Sequence, residues 1–214
     1  MSGDVLPRRA GRPAADTADL PTDEEITGRG LAAFAELGYE GTSVRELSRR
    51  LGVSHNFVND RYGSKEKFWK MLIDTVGWTV VEPLRDVLSM QYDDELERFK
   101  DGVRTFLRAA SANADLTRII TEESGSGGPR LEYVYERHVE PIVQMIKPAY
   151  DRLVAEGRVR DVPFGVMMFA VLAMTGVSSR QGLLALLGAE ADENSFGDSL
   201  SQIVLEGMVL QRLP

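Results

Sequence analysis

The sequence predicts an all-α fold, and three observations carry that prediction. Apolar residues recur at spacings of three and four along most of the chain, the period of a helix with one buried face. The stretches between them carry helix caps and turns rich in Gly, Ser or Pro. Alternating β-branched runs joined by Asn-Gly or Asp-Gly turns are missing, so no sheet is expected.

Residues 1–21 are rich in Pro, Ala, Arg and Asp without an apolar period and read as a flexible arm. An ordered N-terminal unit is expected over 22–67. Thr22 followed by Asp23, Glu24 and Glu25 is a helix start, because a hydroxyl and acids complement the free N–H groups of a first turn. Ile26, Gly30, Phe34 and Leu37 then share a face, and Gly38 ends the helix. Thr42 or Ser43 caps a second helix whose inner face is Val44, Leu47 and Leu51. Gly52-Val53-Ser54 makes a tight turn, with Ser54 capping a third helix that runs to about Tyr62. Gly63 ends it and Ser64 starts a fourth, with Phe68, Met71, Leu72 and Thr75 on one side and Pro83 expected to kink or end it. Further helices follow at about 94–112, 115–123, 130–156, 163–187 and 197–211, separated by Ser124-Gly125-Ser126-Gly127-Gly128-Pro129 and an acidic loop around Glu190 to Asn194.

Composition narrows the function. The 214 residues include 25 basic and 33 acidic side chains, a net charge of −8, with 43% apolar residues, as in globular chains. Cysteine is absent, which excludes disulfide scaffolds, thiolate zinc sites and thiol nucleophiles. The acidic total disfavours coating nucleic acid through bulk charge. No apolar secretory stretch opens the chain, so a cytoplasmic location is expected. Val162 to Ser179 is 18 residues without a charge. It contains Pro163, Gly165, Thr175, Gly176, Ser178 and Ser179 and is followed by Arg180, so a buried or interface helix is expected and no membrane partner.

Two short helices joined by a Gly-containing turn form a helix-turn-helix pattern. At 100° per residue Val58 and Tyr62 face inward, Asn56, Asn59 and Asp60 outward, and Phe57 to one side. Asn is suited to adenine edges. Between Val44 and Lys70, Arg45, Arg49, Arg50, Arg61, Lys65, Lys67 and Lys70 stand against Glu46, Asp60 and Glu66, seven cations to three acids. A local basic excess of this kind supplies phosphate affinity.

Residues 26–68, ITGRGLAAFAELGYEGTSVRELSRRLGVSHNFVNDRYGSKEKF, resemble the N-terminal domain of tetracycline-repressor (TetR) family transcriptional regulators. The resemblance rests on the AFAELGYEGTSVRELSRRLGVS block and the closing Gly-Ser-Lys-Glu at 63–66. It implies a three-helix DNA-binding domain followed by a helical ligand-binding and dimerisation domain over 68–214. It assigns Ser43 and Arg45 to backbone and base edges, and Ser54, His55, Asn56 and Phe57 to the start of the recognition helix. Asn59 and Arg61 fall where Tyr and His often touch DNA, and Lys65 matches a phosphate-contacting lysine; Tyr62 matches a position that packs inside. Asn59 lacks the usual phenol, and Asp60 places an acid in the groove, which narrows specificity through cytosine N4 or weakens binding.

In the arm, Arg8, Arg9 and Arg12 lie in Pro7-Arg8-Arg9-Ala10-Gly11-Arg12-Pro13, which resembles a minor-groove Arg-Gly-Arg-Pro element with an extra residue. The resemblance places a homodimer interface on the last two helices. Candidates there are Phe164, Met168, Val171, Leu172, Thr175, Leu183, Leu184 and Leu187, with Ile203, Val204, Met208 and Leu210. Candidate effector-lining residues are Trp78, Phe106, Tyr133, Tyr135, His138, Met145, Met167 and Met174, large or adaptable side chains suited to a pocket. Glu122, Glu123 and His138 lack metal-ligand spacing, so neither catalysis, a metal nor a cofactor is expected. The reading is a homodimeric repressor released from a palindromic operator in double-stranded DNA by a small-molecule effector. The alternative is a helical ligand- or partner-binding protein with weakened DNA reading.

Overall fold

A computed structural model describes residues 20–175, 185–188 and 193–210, all as helices and connecting turns apart from one antiparallel bridge between Val159 and Val209. The helices are α1 (Asp23–Gly41), α2 (Val44–Leu51), α3 (Phe57–Tyr62), α4 (Lys65–Ser89), α5 (Glu95–Ser111), α6 (Ala114–Ser126), α7 (Pro129–Val134), α8 (Glu140–Ala155), α9 (Phe164–Thr175) and α10 (Glu193–Met208). A π-helical turn, Tyr135–Val139, joins α7 to α8. Among the described residues no helix is long and apolar enough to cross a membrane. Arg8, Arg9 and Arg12, Leu183 and Leu184, and part of the acidic loop lie outside the described residues.

Cap chemistry sets the early boundaries. Thr22 and Glu25 exchange hydrogen bonds with each other's backbone N–H in a capping box, Ser43 Oγ accepts from Glu46 N–H, and Ser64 Oγ accepts from Lys67 N–H. Other expectations are corrected. Gly38 kinks α1 at φ 68° rather than ending it, and Leu37 is exposed. Ser54 does not cap α3: its carbonyl accepts Phe57 N–H at 3.0 Å and the helix begins at Phe57, after a turn through His55 and Asn56. Thr75 is exposed, and Trp69 and Ile73 join Phe68 and Leu72 on the buried side of α4. Pro83 does not stop α4. Pro83 and Thr79, whose carbonyl loses its donor, both lie on the exposed side, where solvent replaces the missing bond. The single helix expected over 130–156 contains the π-helical turn, in which Glu140 N–H reaches back to Tyr135 O.

One core cluster joins Ile26, Phe34, Leu47, Leu51, Val58, Phe68 and Trp69 to Ala110, Leu116, Ile119 and Val134. The first four helices therefore pack directly onto α5, α6 and α7. A second cluster gathers Phe99, Val103 and Leu107 of α5, Tyr150 and Leu153 of α8, Met167 and Val171 of α9, and Leu200, Val204 and Leu205 of α10. Helix α5 is its axis, and α10 lies close along it because Gly197 has no side chain: a Cβ there would sit 3.0 Å from Arg108 Cα.

Gly30 has the same role between α1 and α4. A Cβ would sit 2.9 Å from both Leu72 Cδ1 and Phe68 Cζ, and those side chains are fully buried. Gly30→Ala is expected to lower stability by about 1–3 kcal/mol through overpacking. Gly28, exposed with nothing within 4 Å of its Cβ position, is the control. Gly28→Ala is expected to raise stability by about 0.5–1 kcal/mol in the same urea titration.

Candidate nucleic-acid interface and internal cavity

Helix α3 is held by one fully buried residue, Val58, while Phe57 and Tyr62 close its flank in an edge-to-face pair at 6.3 Å. The turn before it is pinned by Ser48 Oγ donating to His55 O at 3.2 Å. Asn56, Asn59 and Asp60 are exposed, as the helical wheel predicts, and Ser54 and His55 are exposed in the turn before α3. On α2, Ser43 is exposed but its hydroxyl is occupied in the cap, and Arg45 is exposed with no carboxylate in reach among the described residues.

The basic excess is largely internally paired. Arg49 and Arg50 both bind Glu46, and Arg50 also binds Glu36 at 2.6 Å. Hydrogen bonds from the two guanidinium groups hold the Glu46 carboxyl down at about 2. Lys70 binds Glu66 at 2.7 Å. Arg61 binds Asp23 of α1 at 2.7 Å while lying over the rings of Phe57 and Tyr62, each 5.6 Å away. Lys65 points back into the fold: its Nζ donates to Tyr39 O at 2.9 Å and lies 4.0 Å from the Tyr39 ring centre. Of the seven cations counted in sequence, Arg45 and Lys67 have no such partner among the described residues.

The same Tyr39 ring receives Arg130 of α7, also at 4.0 Å, and Arg130 binds Glu123 of α6 and Glu40 of α1. Tyr39 joins the end of α1 to the start of α4 and to α7, a link that no local sequence signal announces.

Beyond it, α4 to α9 and the π-helical turn line a partly open cavity of about 740 Å³ whose wall includes Ile73, Val80, Leu84, Val103, Phe106 and Ile142. Of the candidate lining residues, Phe106, Tyr135, His138 and Met167 are in its wall. The other four are placed elsewhere. Trp78 packs edge-on against His138 at 5.2 Å beneath Arg85 and Arg137, Tyr133 packs on Trp69, Met145 is exposed, and Met174 packs on the second core cluster. Most of the wall is aliphatic, which in sequence is indistinguishable from ordinary core. Glu122, Glu123 and His138 do not form one cluster: Glu123 is paired with Arg130, and His138 Nε2 with Asp74 Oδ1 at 2.9 Å. Asp74 Oδ2 also accepts from Tyr133 Oη at 2.9 Å.

On α9, Val166 and Phe169 are 56% and 71% exposed, and on α10 Ile203 is 59% exposed. Of the expected interface residues, Val171, Thr175 and Val204 are buried within the chain, while Leu187, Ile203 and Leu210 are exposed.

Residues 26–70 match the family model described as bacterial regulatory proteins, tetR family. An HTH-type transcriptional repressor of Mycobacterium tuberculosis is 35% identical over 71 residues, covering 31% of this chain and 38% of that protein. The chain thus spans little more than a third of the curated relatives it matches. Among solved structures, the TetR family regulator PfmR of Thermus thermophilus superposes with a TM-score of 0.65 at 22% identity, over 90% of this chain and 99% of that one. The ketosteroid transcriptional regulator KstR2 of Mycobacterium tuberculosis gives 0.62 at 18%, over 88% and 95%. These likenesses show the fold.

Two expectations follow from the geometry. Lys65→Met is expected to destabilise the chain by about 1–2 kcal/mol, because it removes a cation–π contact and a carbonyl hydrogen bond. Arg45→Ala is expected to stay within about 0.5 kcal/mol of the parent, as an unpaired surface side chain; thermal unfolding separates the two. Burial holds the His138 ring below its ordinary 6.5, against the opposing pull of Asp74. Between its lowered folded value and 6.5 the unfolded chain binds more protons, so stability falls as pH drops through that window. Urea midpoints measured from pH 7.5 downward should show this decline, and His138→Leu should remove its part of it.

Proposed function

We propose that the chain, whose residues 26–70 match the model of the tetR family of bacterial regulatory proteins, is a sequence-specific DNA-binding repressor of that family acting as a homodimer in the cytoplasm. The observation that carries this is the outward face of α3 and the turn before it, where Ser54, His55, Asn56, Asn59 and Asp60 are exposed, the turn being anchored to α2 by Ser48. A short helix with its polar groups free and its apolar side fixed is what a major groove accepts. Arg45 at the start of α2 adds an unpaired cation for phosphate or a base edge. Lys65 serves as a positioning cation for α1, with any phosphate contact secondary.

Two-fold pairing through α9 and α10 is supported by exposed Val166, Phe169 and Ile203, apolar side chains that a second copy would cover. The working division is 22–67 for DNA and 68–214 for effector and dimer, with the arm 1–21, including Arg8, Arg9 and Arg12, available to the minor groove. Helix α4 crosses that division. Its first residue binds Tyr39, and Ile73, Val80 and Leu84 line the cavity. A ligand favouring a shifted α4 would change the separation of the two recognition helices. Half-sites lie about 34–36 Å apart, so a small change costs affinity. No enzymatic step, metal or cofactor enters this mechanism.

Selection of the purified chain against random duplexes at physiological salt tests it. Enrichment of a palindrome is expected, and none from folded, dimeric protein would overturn the repressor reading. In that case the internally paired Arg49, Arg50 and Arg61 and the exposed Asp60 favour a ligand- or partner-binding protein with weakened DNA reading. On the selected duplex, Arg45→Ala is expected to reduce the slope of log affinity against log salt by about one unit.

A further inference from the structure

Helix α3 contributes a single cation, Arg61. It lies on the flank of the helix: at 100° per residue it is one step round from the outward Asp60 and shares a side with Phe57, four residues earlier. Its guanidinium rests over the Phe57 and Tyr62 rings, 5.6 Å from each centre, and its Nη2 donates to Asp23 Oδ1 at 2.7 Å. Asp23 is the first residue of α1, 38 residues away, so this bond closes the edge where the start of α1 meets the end of α3. Glu24 and Asp60, each next in sequence to one member of the pair, are exposed and add further negative charge.

A long side chain on the flank of a helix seated in a major groove reaches the phosphate rim, while the outward residues reach base edges. The guanidinium suits that rim, because its planar fork of N–H groups matches the oxygens of a phosphate. In the free chain the fork is turned to a carboxylate instead. Both partners are open to water, with the Asp23 side chain 83% exposed and that of Arg61 43%. Such a pair is weak enough for another anion to displace. The rings act differently, since they hold the guanidinium whichever anion it meets. Without the carboxylate, Arg61 stays placed and keeps its charge.

We propose that Asp23 is an intramolecular competitor for Arg61 and lowers the affinity of the recognition unit for DNA phosphate. This rests on the DNA-binding reading above and adds to it a residue that works against binding. The carboxylate acts in two ways. It neutralises the one cation on α3, so a phosphate arriving there gains little, and it brings its own negative charge to the phosphate rim. Phosphate carries no sequence information, so the effect is the same on every duplex.

The test measures binding of the full chain to a fluorescein-labelled duplex of random sequence by anisotropy, between about 50 and about 200 mM KCl, where phosphate contacts govern affinity. Asp23→Asn is expected to tighten binding about two- to fivefold at the low-salt end and to steepen the slope of log affinity against log salt by about one unit. Glu24→Gln is the control for charge alone. It removes the same charge one residue away, from an exposed side chain with no ion-pair partner among the described residues, and is expected to give a smaller gain. In an Arg61→Ala background, Asp23→Asn is expected to do no more than Glu24→Gln. Loss of fold cannot imitate a gain in affinity. Equal gains from Asp23→Asn and Glu24→Gln, or a gain that survives Arg61→Ala, would reduce the effect to general charge and overturn the proposal. Weaker binding by Asp23→Asn would also overturn it, by making Asp23 a support for Arg61. Parent protein that binds the duplex while Asp23→Asn changes nothing removes this proposal alone. Folded parent protein that binds no duplex at the lowest salt removes the DNA-binding reading together with it.

Discussion

The arrangement of this chain depends on one aromatic ring gripped by two cations. Tyr39 stands at the end of α1, stacked on Phe34 at 5.9 Å and meeting Trp69 edge-on at 6.1 Å. Lys65 and Arg130 each lie 4.0 Å from its centre, and Lys65 also takes its carbonyl. Partly desolvated contacts of this kind are worth about 1–2 kcal/mol each. Their position matters more than their sum. They fix the end of α1, from which α2 and α3 follow through the kink at Gly38 and the buried Thr42, whose hydroxyl donates to Gly38 O at 2.6 Å. They also fix the first turn of α4 and the start of α7. The end of α1, the start of α4 and the start of α7 thus meet on one side chain.

From that point α4 carries two environments along one rod. Its first turns complete the core under α1 to α3, and its later turns form a wall of the cavity. Pro83 falls in the second half on the exposed side, so the helix loses one bond and still continues to Ser89. At Gly77 the helix presents bare backbone to the π-helical turn that carries His138. The extra residue in such a turn shifts the register of the side chains that follow it, which separates the orientation of α7 from that of α8.

Much of this was legible in sequence where the physics is local. Thr22, Ser43 and Ser64 announce helix starts because a hydroxyl and an N–H three residues on are enough to form the cap. The inward Val58 and outward Asn56, Asn59 and Asp60 follow from helical period alone. The start of α3 was not legible, because Ser54 contributes its carbonyl and the chain makes an extra turn before coiling. Ion-pair partners were not legible either. Arg61 finds Asp23, 38 residues away, and Lys65 finds Tyr39, 26 away, so a basic count overstated the charge left for DNA. The cavity was the least visible. Its walls are Val, Leu, Ile and Phe, and only packing distinguishes a space from a core. Phe106, His138 and Met167 fell in the wall, while Trp78 and Tyr133 belong to the polar and aromatic layer behind it.

The N-terminal core is completed by Ala110, Leu116, Ile119 and Val134, which lie far down the chain. The interior of the first four helices is therefore shared with α5, α6 and α7. On a nascent chain the contacts that complete the core around Val58 of α3 form only once α5, α6 and α7 have emerged. The same dependence blurs genetics. In a screen for loss of the proposed operator binding, lesions at Leu116 or Val134 would score with lesions on α3, and only the amount of folded protein in the cell would tell the two groups apart.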